Sequence, residues 1–251
     1  MPPVATDALV LRTYKLGETS KIALLLTRER GKVRAVAKGA RGRRSRYQSA
    51  LEPFSEVRVG LYGRQGAELY RLGECELIRS AFPGRERRLE QGLVLGYFAE
   101  LLDGFAQEGD AEDEVYRLAR AVVRALGEGR RSEVMARYLE AWLLRLHGIY
   151  PPLTQCAGCA GRLPSGDLGY HGPTHGFVCP DCGPASGPFL GAPARRFLEL
   201  AFRAAPEQMA DELPAGSAEL ETFHERLIGG HLERELRSPR VLKSVARGLP
   251  A

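Results

Sequence analysis

Lys32-Val-Arg-Ala-Val-Ala37, followed directly by Lys38-Gly-Ala-Arg-Gly-Arg-Arg-Ser-Arg46, is the stretch on which the fold reading turns. In the first six residues charged and apolar side chains alternate, the pattern of a strand with one solvated face. Lys32 and Arg34 are therefore expected to point outward, opposite Val33, Ala35 and Ala37 in the core. Residues 39–46 have no apolar period and read as a mobile loop. On either side, short apolar or alternating segments recur at Ala8 to Leu11, Ile22 to Thr27, Glu56 to Tyr62, Glu68 to Leu72 and Cys75 to Ile78. Turn chemistry separates them at Arg28-Glu-Arg-Gly31 and Gly63-Arg-Gln-Gly66. So many short strands in roughly 80 residues predict a small Greek-key or OB-like barrel, with an SH3-like barrel as a rival that periodicity does not separate.

The same stretch dominates the charge distribution. Arg28 to Arg46 carries nine cations and one anion, Glu29, a balance of +8 in a chain whose net charge is +5, so the remainder stands at −3. A mildly acidic protein with one dense cationic segment suggests a local surface for a polyanion, against the plainer reading of a solvated loop. Arg outnumbers Lys 31 to 5 and Asn is absent, a skew that base composition alone could produce, so clustering carries this reading. The candidate contacts are Lys32, Arg34, Lys38, Arg41, Arg43, Arg44 and Arg46.

The chain has 251 residues, 44% of them hydrophobic and 27% charged, which fits a globular protein of more than one domain and excludes a wholly disordered or collagen-like one. Beyond Pro83-Gly84 the apolar period becomes helical. One stripe runs from Leu89 to Phe105; a second from Val115 to Leu126, with Asp110 as a candidate cap; a third from Ser132 to Leu146, with Gly148 at its end. Helix returns at Ala194 to Ala204 and Glu219 to Leu236, and a short terminal helix is expected over Arg240 to Ala246. The predicted organisation is α+β and multidomain. An OB-like β-barrel over 1–81 is followed by an α-helical bundle over 85–251, interrupted at 153–188 by a metal-binding segment. Arg195, Arg196 and Arg203 form a second candidate basic patch, the last two a helical i, i+7 pair.

Cys156-Ala-Gly-Cys159 and Cys179-Pro-Asp-Cys182 form two C-x-x-C pairs at the spacing of a tetrathiolate zinc ribbon. Four thiolates close the coordination sphere and leave no position for activated water, so the expected Zn²⁺, one per chain, is structural. His171 and His175 read as ribbon residues and Tyr170 and Phe177 as covers for the metal. Cys75 reads as a buried free thiol. No phosphate-binding loop, H-E-x-x-H helix or G-x-S-x-G elbow occurs. The acidic run Glu112-Asp-Glu114 sits where a helix start favours acids. The expectation is a binding protein without catalytic residues. With no leader-like N-terminus and no apolar run near the ~20 residues of a membrane span, it is expected in the cytoplasm.

Gly17-Glu-Thr-Ser20, Thr27, Gly31, Ala37-Lys-Gly-Ala-Arg41, Ser45 and Leu51-Glu-Pro-Phe54 together resemble the N-terminal signature of the RecO family of bacterial recombination mediators. The module order resembles that family along essentially the whole chain. The resemblance implies an OB fold, binding of single- and double-stranded DNA, annealing of complementary strands, and nucleoid association. It also implies partnership with RecR, with single-stranded-DNA-binding protein and, through loading, with RecA. Lys38 and Arg41 are the contacts it implies; Lys32, Arg34, Arg43, Arg44 and Arg46 extend them by charge and strand phase. An acidic tail on the coating protein would need cations rimming an apolar groove. The rivals are an RNA- or ribosome-associated OB protein with a zinc ribbon and a metal-dependent DNA-processing enzyme.

Overall fold

The computed structural model describes residues 3–64, 66–81, 89–212, 215–233, 236 and 238. The expected helix over Arg240 to Ala246 and the Pro83-Gly84 boundary lie outside them. The chain divides into two compact units, residues 1–128 with 236–251, and residues 129–235.

In the first unit five strands, β1 (Val4–Leu16), β2 (Ser20–Thr27), β3 (Gly31–Ala37), β4 (Glu56–Tyr62) and β5 (Tyr70–Arg79), close a barrel in the order β1-β2-β3-β5-β4. Every pairing is antiparallel except β3 with β5, where Ala35 faces Tyr70 and Val36 faces Arg71 in parallel. This OB-like closure resolves the choice of barrel that periodicity left open. β5 fuses two predicted segments into one strand whose pairing with β4 shifts register between Val59 and Leu61. The interior takes Val10, Leu25, Val33, Ala35, Ala37 and Leu72, all buried. The alternation read from Lys32 to Ala37 therefore assigns the inward face correctly.

The outward face is different. α1 (Leu89–Phe105) and α2 (Asp113–Gly127) pack on β1 in this same unit, and Arg12 donates to the Gly96 carbonyl of α1 at 3.0 Å. The backbone following α1 then lies along the start of β3. Lys32 N donates to the Gln107 carbonyl at 3.0 Å, and Gly109 N donates to the Lys32 carbonyl at 3.3 Å. Gly31 has φ +56°, and a Cβ there would stand 1.9 Å from the Asp110 carbonyl oxygen. Only glycine fits both the left-handed turn and this approach. α2 starts at Asp113, with Glu112 rather than Asp110 at its N-cap and Asp113 and Glu114 in its first turn.

The second unit holds α3 (Ser132–Leu146), β6 (Leu168–His171), β7 (Gly176–Val178), β8 (Phe189–Leu190), α4 (Ala192–Ala201) and α5 (Ser217–Leu232). The two strands of the cysteine segment pair with β8 just beyond it in a three-stranded sheet of order β7-β6-β8. α3 packs on α4 and α5 within this unit, while α1 and α2 are grouped with the barrel in the first. Tyr170 and Phe177 are buried with ring centroids 5.3 and 5.5 Å from that of Phe223 on α5. They dock the ribbon on α5. Beside them, fully buried His224 bonds through Nδ1 to Glu140 at 2.8 Å and through Nε2 to the Tyr150 hydroxyl at 3.1 Å. Burial holds its imidazole below the usual range despite the opposing carboxylate.

Glu56 is the strongest electrostatic tie in the first unit. Its carboxylate is 5% exposed and receives Arg120 at 2.9 Å and Arg124 at 2.6 Å, both from α2. Burial alone would raise its pKa, but the hydrogen bonds from Arg124 and Arg120 win and lower it. Glu56→Gln should therefore destabilise the protein by about 1 to 2 kcal/mol at pH 7, since two partly exposed guanidinium groups exchange a carboxylate for a neutral amide. Because the folded-state pKa is depressed, this contribution is present above the ordinary carboxylate pKa and fades as pH falls through the folded value. Urea unfolding of both proteins at pH 7 and at decreasing pH should show midpoints that converge on acidification.

Candidate nucleic-acid interface and metal centre

The structure sorts the cationic stretch into two parts. Arg28 pairs with Asp113 at 2.8 Å, Lys32 with Asp103 at 3.0 Å, and Arg34 with Glu108. Lys32 is buried, and its ammonium also donates to the Asp103 carbonyl. Lys32, expected on the solvated face, is instead buried beside Asp103, whereas Arg34 is exposed as expected and pairs with Glu108; these acids come from the stretch running from the end of α1 to the start of α2. Those acids lie more than 70 residues downstream, so local charge counting could not register them.

Lys38, Arg41, Arg43, Arg44 and Arg46 remain exposed on the segment between β3 and β4. That segment is not the structureless loop its composition suggests. It is a succession of tight turns, with Gly42 N bonded to the Gly39 carbonyl at 3.1 Å and Ser45 N to the Gly42 carbonyl at 3.0 Å. Gly39 supplies a left-handed turn at φ +73°. Arg41 grips the β1–β2 turn twice, through its backbone N to the Thr19 carbonyl at 2.9 Å and its guanidinium to the Gly17 carbonyl at 2.8 Å. At the far end Tyr47, buried in the barrel core, donates its hydroxyl to the Leu72 carbonyl at 2.9 Å, and the Arg46 guanidinium lies 4.9 Å over its ring. Tyr47 was missed in the sequence; a lone aromatic closing a cationic run is the signal that could have marked it.

The second candidate patch does not assemble. Arg195 is buried and donates to Glu199 at 3.0 Å and to the Pro164 carbonyl at 2.6 Å, so it holds the ribbon loop to α4. Arg196 is exposed on the helix. α4 ends at Ala201, which puts Arg203 in the turn beyond it and dissolves the i, i+7 pair. Arg203 instead lines a groove of about 430 Å³ with Arg145, Tyr150, Pro151 and Phe202, where the Arg145 guanidinium sits 4.4 Å over the Phe202 ring.

Cys156, Cys159, Cys179 and Cys182 come together as the spacing requires, their sulfurs all within 4.8 Å of one another. The Cys159 and Cys179 sulfurs are 3.8 Å apart, the separation that ~2.3 Å metal–sulfur bonds in a tetrahedron produce. Cys156 Sγ accepts backbone N–H groups of Gly158 and Cys179, each at 3.3 Å. A Cβ on Gly158 would meet the Cys182 sulfur at 3.0 Å, so the knuckle needs glycine inside its first pair. The positive-φ residue of that knuckle is Ala160, at φ 59°, and that of the second is Gly183, at φ 121°. Backbone N–H groups of Cys159 and Cys179 draw the Cys156 thiol down to about 6, whereas Cys182, hydrogen-bonded to Cys159 and the other two sulfurs, is pushed up to about 12. Four sulfurs this close can hold a metal ion. His171 bonds Thr174 at 3.1 Å, and neither it nor His175 joins the cluster. Cys75 is partly buried against the barrel core, its thiol raised to about 11 by burial.

Comparison with known proteins agrees with this architecture. Residues 1–81 match the family model described as Recombination protein O N terminal, and residues 86–240 the one described as Recombination protein O C terminal. DNA repair protein RecO of Koribacter versatilis (strain Ellin345) is 33% identical over 233 residues, 92% of this chain and 94% of that one. The protein of the same name from Desulforudis audaxviator (strain MP104C) is 33% identical over 251 residues, 98% of each chain. That of Geobacter metallireducens is 30% identical over 245 residues, 98% and 99% of the two chains. With an OB-like barrel leading, helices following, a four-cysteine cluster in the second unit and both family models spanning the sequence, the chain belongs to the RecO family of DNA repair and recombination proteins.

Proposed function

We propose that the chain acts in recombination by holding DNA on the turns from Lys38 to Arg46, annealing complementary strands and, with RecR, loading RecA onto coated single strands. The observation that carries this reading is the sorting of charge: acids cancel the cations on β3, and five exposed cations stay together beside the β1–β2 turn. Lys38, Arg41, Arg43, Arg44 and Arg46 are assigned to phosphate contact, and Lys32 and Arg34 are not. Phosphate contacts confer affinity without reading sequence, as strand joining requires. Neutralising phosphate repulsion between two strands speeds their pairing without any covalent step. A groove lined by Arg145, Arg203, Phe202 and Pro151, with Glu199 as its one acid, is assigned to the acidic tail of single-stranded-DNA-binding protein. We assign Zn²⁺ to the four cysteines in a structural role, since a closed sulfur shell leaves no site for substrate. No described helix is long and apolar enough to cross a membrane, and a cytoplasmic location beside the nucleoid suits the proposed role.

Two experiments test this. Affinity for a labelled single strand should fall steeply with salt, at a slope of about 0.7 per neutralised phosphate. Replacing Lys38 and Arg44 together by Gln should reduce that slope by about 1.4, while Arg34→Gln leaves it unchanged; an unaltered slope in the double variant would move the DNA site elsewhere. Mercurial titration of the thiols should release one equivalent of zinc per chain and lower the thermal unfolding midpoint, with the salt slope of DNA binding retained. Purified protein without zinc, or a slope that changes on release, would overturn the structural role.

A further inference from the structure

The barrel carries a feature that the basic turns do not account for. The strand registers place five residues side by side around its outer surface: Tyr14 pairs with Ile22, Ile22 with Val36, Val36 with Arg71, and Arg71 with Tyr62. The interior belongs to the alternate positions Ala23, Ala35, Tyr70 and Leu61, so this row faces outward. On β1 the same face is reached because the pairing with β2 shifts register between Val10 and Arg12, after which Thr13 opposes Ala23 and Tyr14 opposes Ile22. Tyr14 is 46% exposed and Tyr62 36%, with Ile22 and Val36 half-buried between them. The Arg71 guanidinium lies 5.3 Å over the Tyr62 ring, which fixes that ring's pose.

Single exposed apolar side chains need no explanation, but an aligned row with an aromatic at each end is a different object. The row also borders the cations. Tyr14 and Leu16 lead into the turn whose Gly17 and Thr19 carbonyls Arg41 holds, and Val36 lies two residues before Lys38. A row of exposed rings and aliphatic side chains along the curved outer face of the barrel, interrupted by Arg71 and with positive charge along its border, suits the two faces of an unpaired nucleic-acid strand, aromatic bases on one side and phosphates on the other. A duplex buries its base faces in its own stack and presents phosphates and base edges, with no open ring face to stack on.

We propose that Tyr14 and Tyr62 form a stacking platform for unpaired nucleobases, giving this barrel a preference for single strands over duplex. The proposal rests on the reading that the Lys38–Arg46 turns hold DNA, and its test separates the two. Binding of an oligo-dT, an abasic oligomer of the same length and a duplex is measured by anisotropy at one salt concentration with the full chain. The native protein should prefer oligo-dT to the abasic strand. Tyr14→Ala should weaken oligo-dT binding at least about fivefold, with abasic and duplex affinities, salt slope and unfolding midpoint unaltered. Tyr14→Phe should retain the native preference, since the ring and not the hydroxyl stacks, and Tyr62→Ala should shift it in the same direction as Tyr14→Ala. A native protein that binds the abasic strand as tightly as oligo-dT, or a dT-to-abasic ratio unmoved in Tyr14→Ala, would overturn the platform. A salt slope unmoved by Lys38→Gln with Arg44→Gln would instead overturn the phosphate reading beneath it.

Discussion

The seam between the start of β3 and the backbone following α1 decides where this protein is positive. It exists because Gly31 lacks a side chain and lets the Asp110 carbonyl approach, and because Lys32 exchanges backbone hydrogen bonds with Gln107 and Gly109. Those contacts bring Asp103 and Glu108 onto two cations that a strand would otherwise present to solvent, and Asp113 follows onto Arg28. Without the seam the positive surface would run the length of β3. With it, the cations of β3 carry acids and the exposed cations of this stretch follow Ala37.

The energetic weight of these pairs is uneven, and the difference separates their roles. Arg28–Asp113 and Arg34–Glu108 are about half exposed on both sides, so solvent screening leaves each little weight in stability. Their effect is on the electrostatic field, since a cation with an acid at hydrogen-bond distance offers little attraction to a phosphate beyond the ~8 Å screening length of physiological salt. Lys32–Asp103 is largely buried and tied to the backbone as well, which makes it a packing element of the seam.

Local periodicity made much of this legible. The inward face of β3, the helical stripes from Leu89 onward and the four cysteines could all be placed from spacings of two, three or four residues, because backbone geometry imposes those periods wherever the segment ends up. What escaped was long-range. Nothing near Lys32 in the chain announces Asp103, and nothing near Arg195 announces the Pro164 carbonyl that takes its guanidinium. The turns after Lys38 escaped for another reason: hydrogen bonds from Gly42 and Ser45 and the anchoring of Tyr47 order a segment that has no hydrophobic pattern to betray it. The grouping of α1 and α2 with the barrel was equally hidden, since an amphipathic stripe shows that a helix buries a face without showing against what.

The ribbon poses the converse problem of order without a core. Its strands have four, three and two residues, too short to be stable unless something else fixes them. Two devices do so at different points. Tyr170 and Phe177 lodge against Phe223 and attach the sheet to α5 by aromatic burial. The knuckles rely on sulfur chemistry, where four thiols in mutual contact cannot all ionise without a cation to receive them; ion binding there is folding free energy. An ion in that closed sulfur shell would use its coordination energy in holding the chain, so the role proposed for it is mechanical, and in the same proposal DNA contact falls to the cations and exposed rings of the barrel.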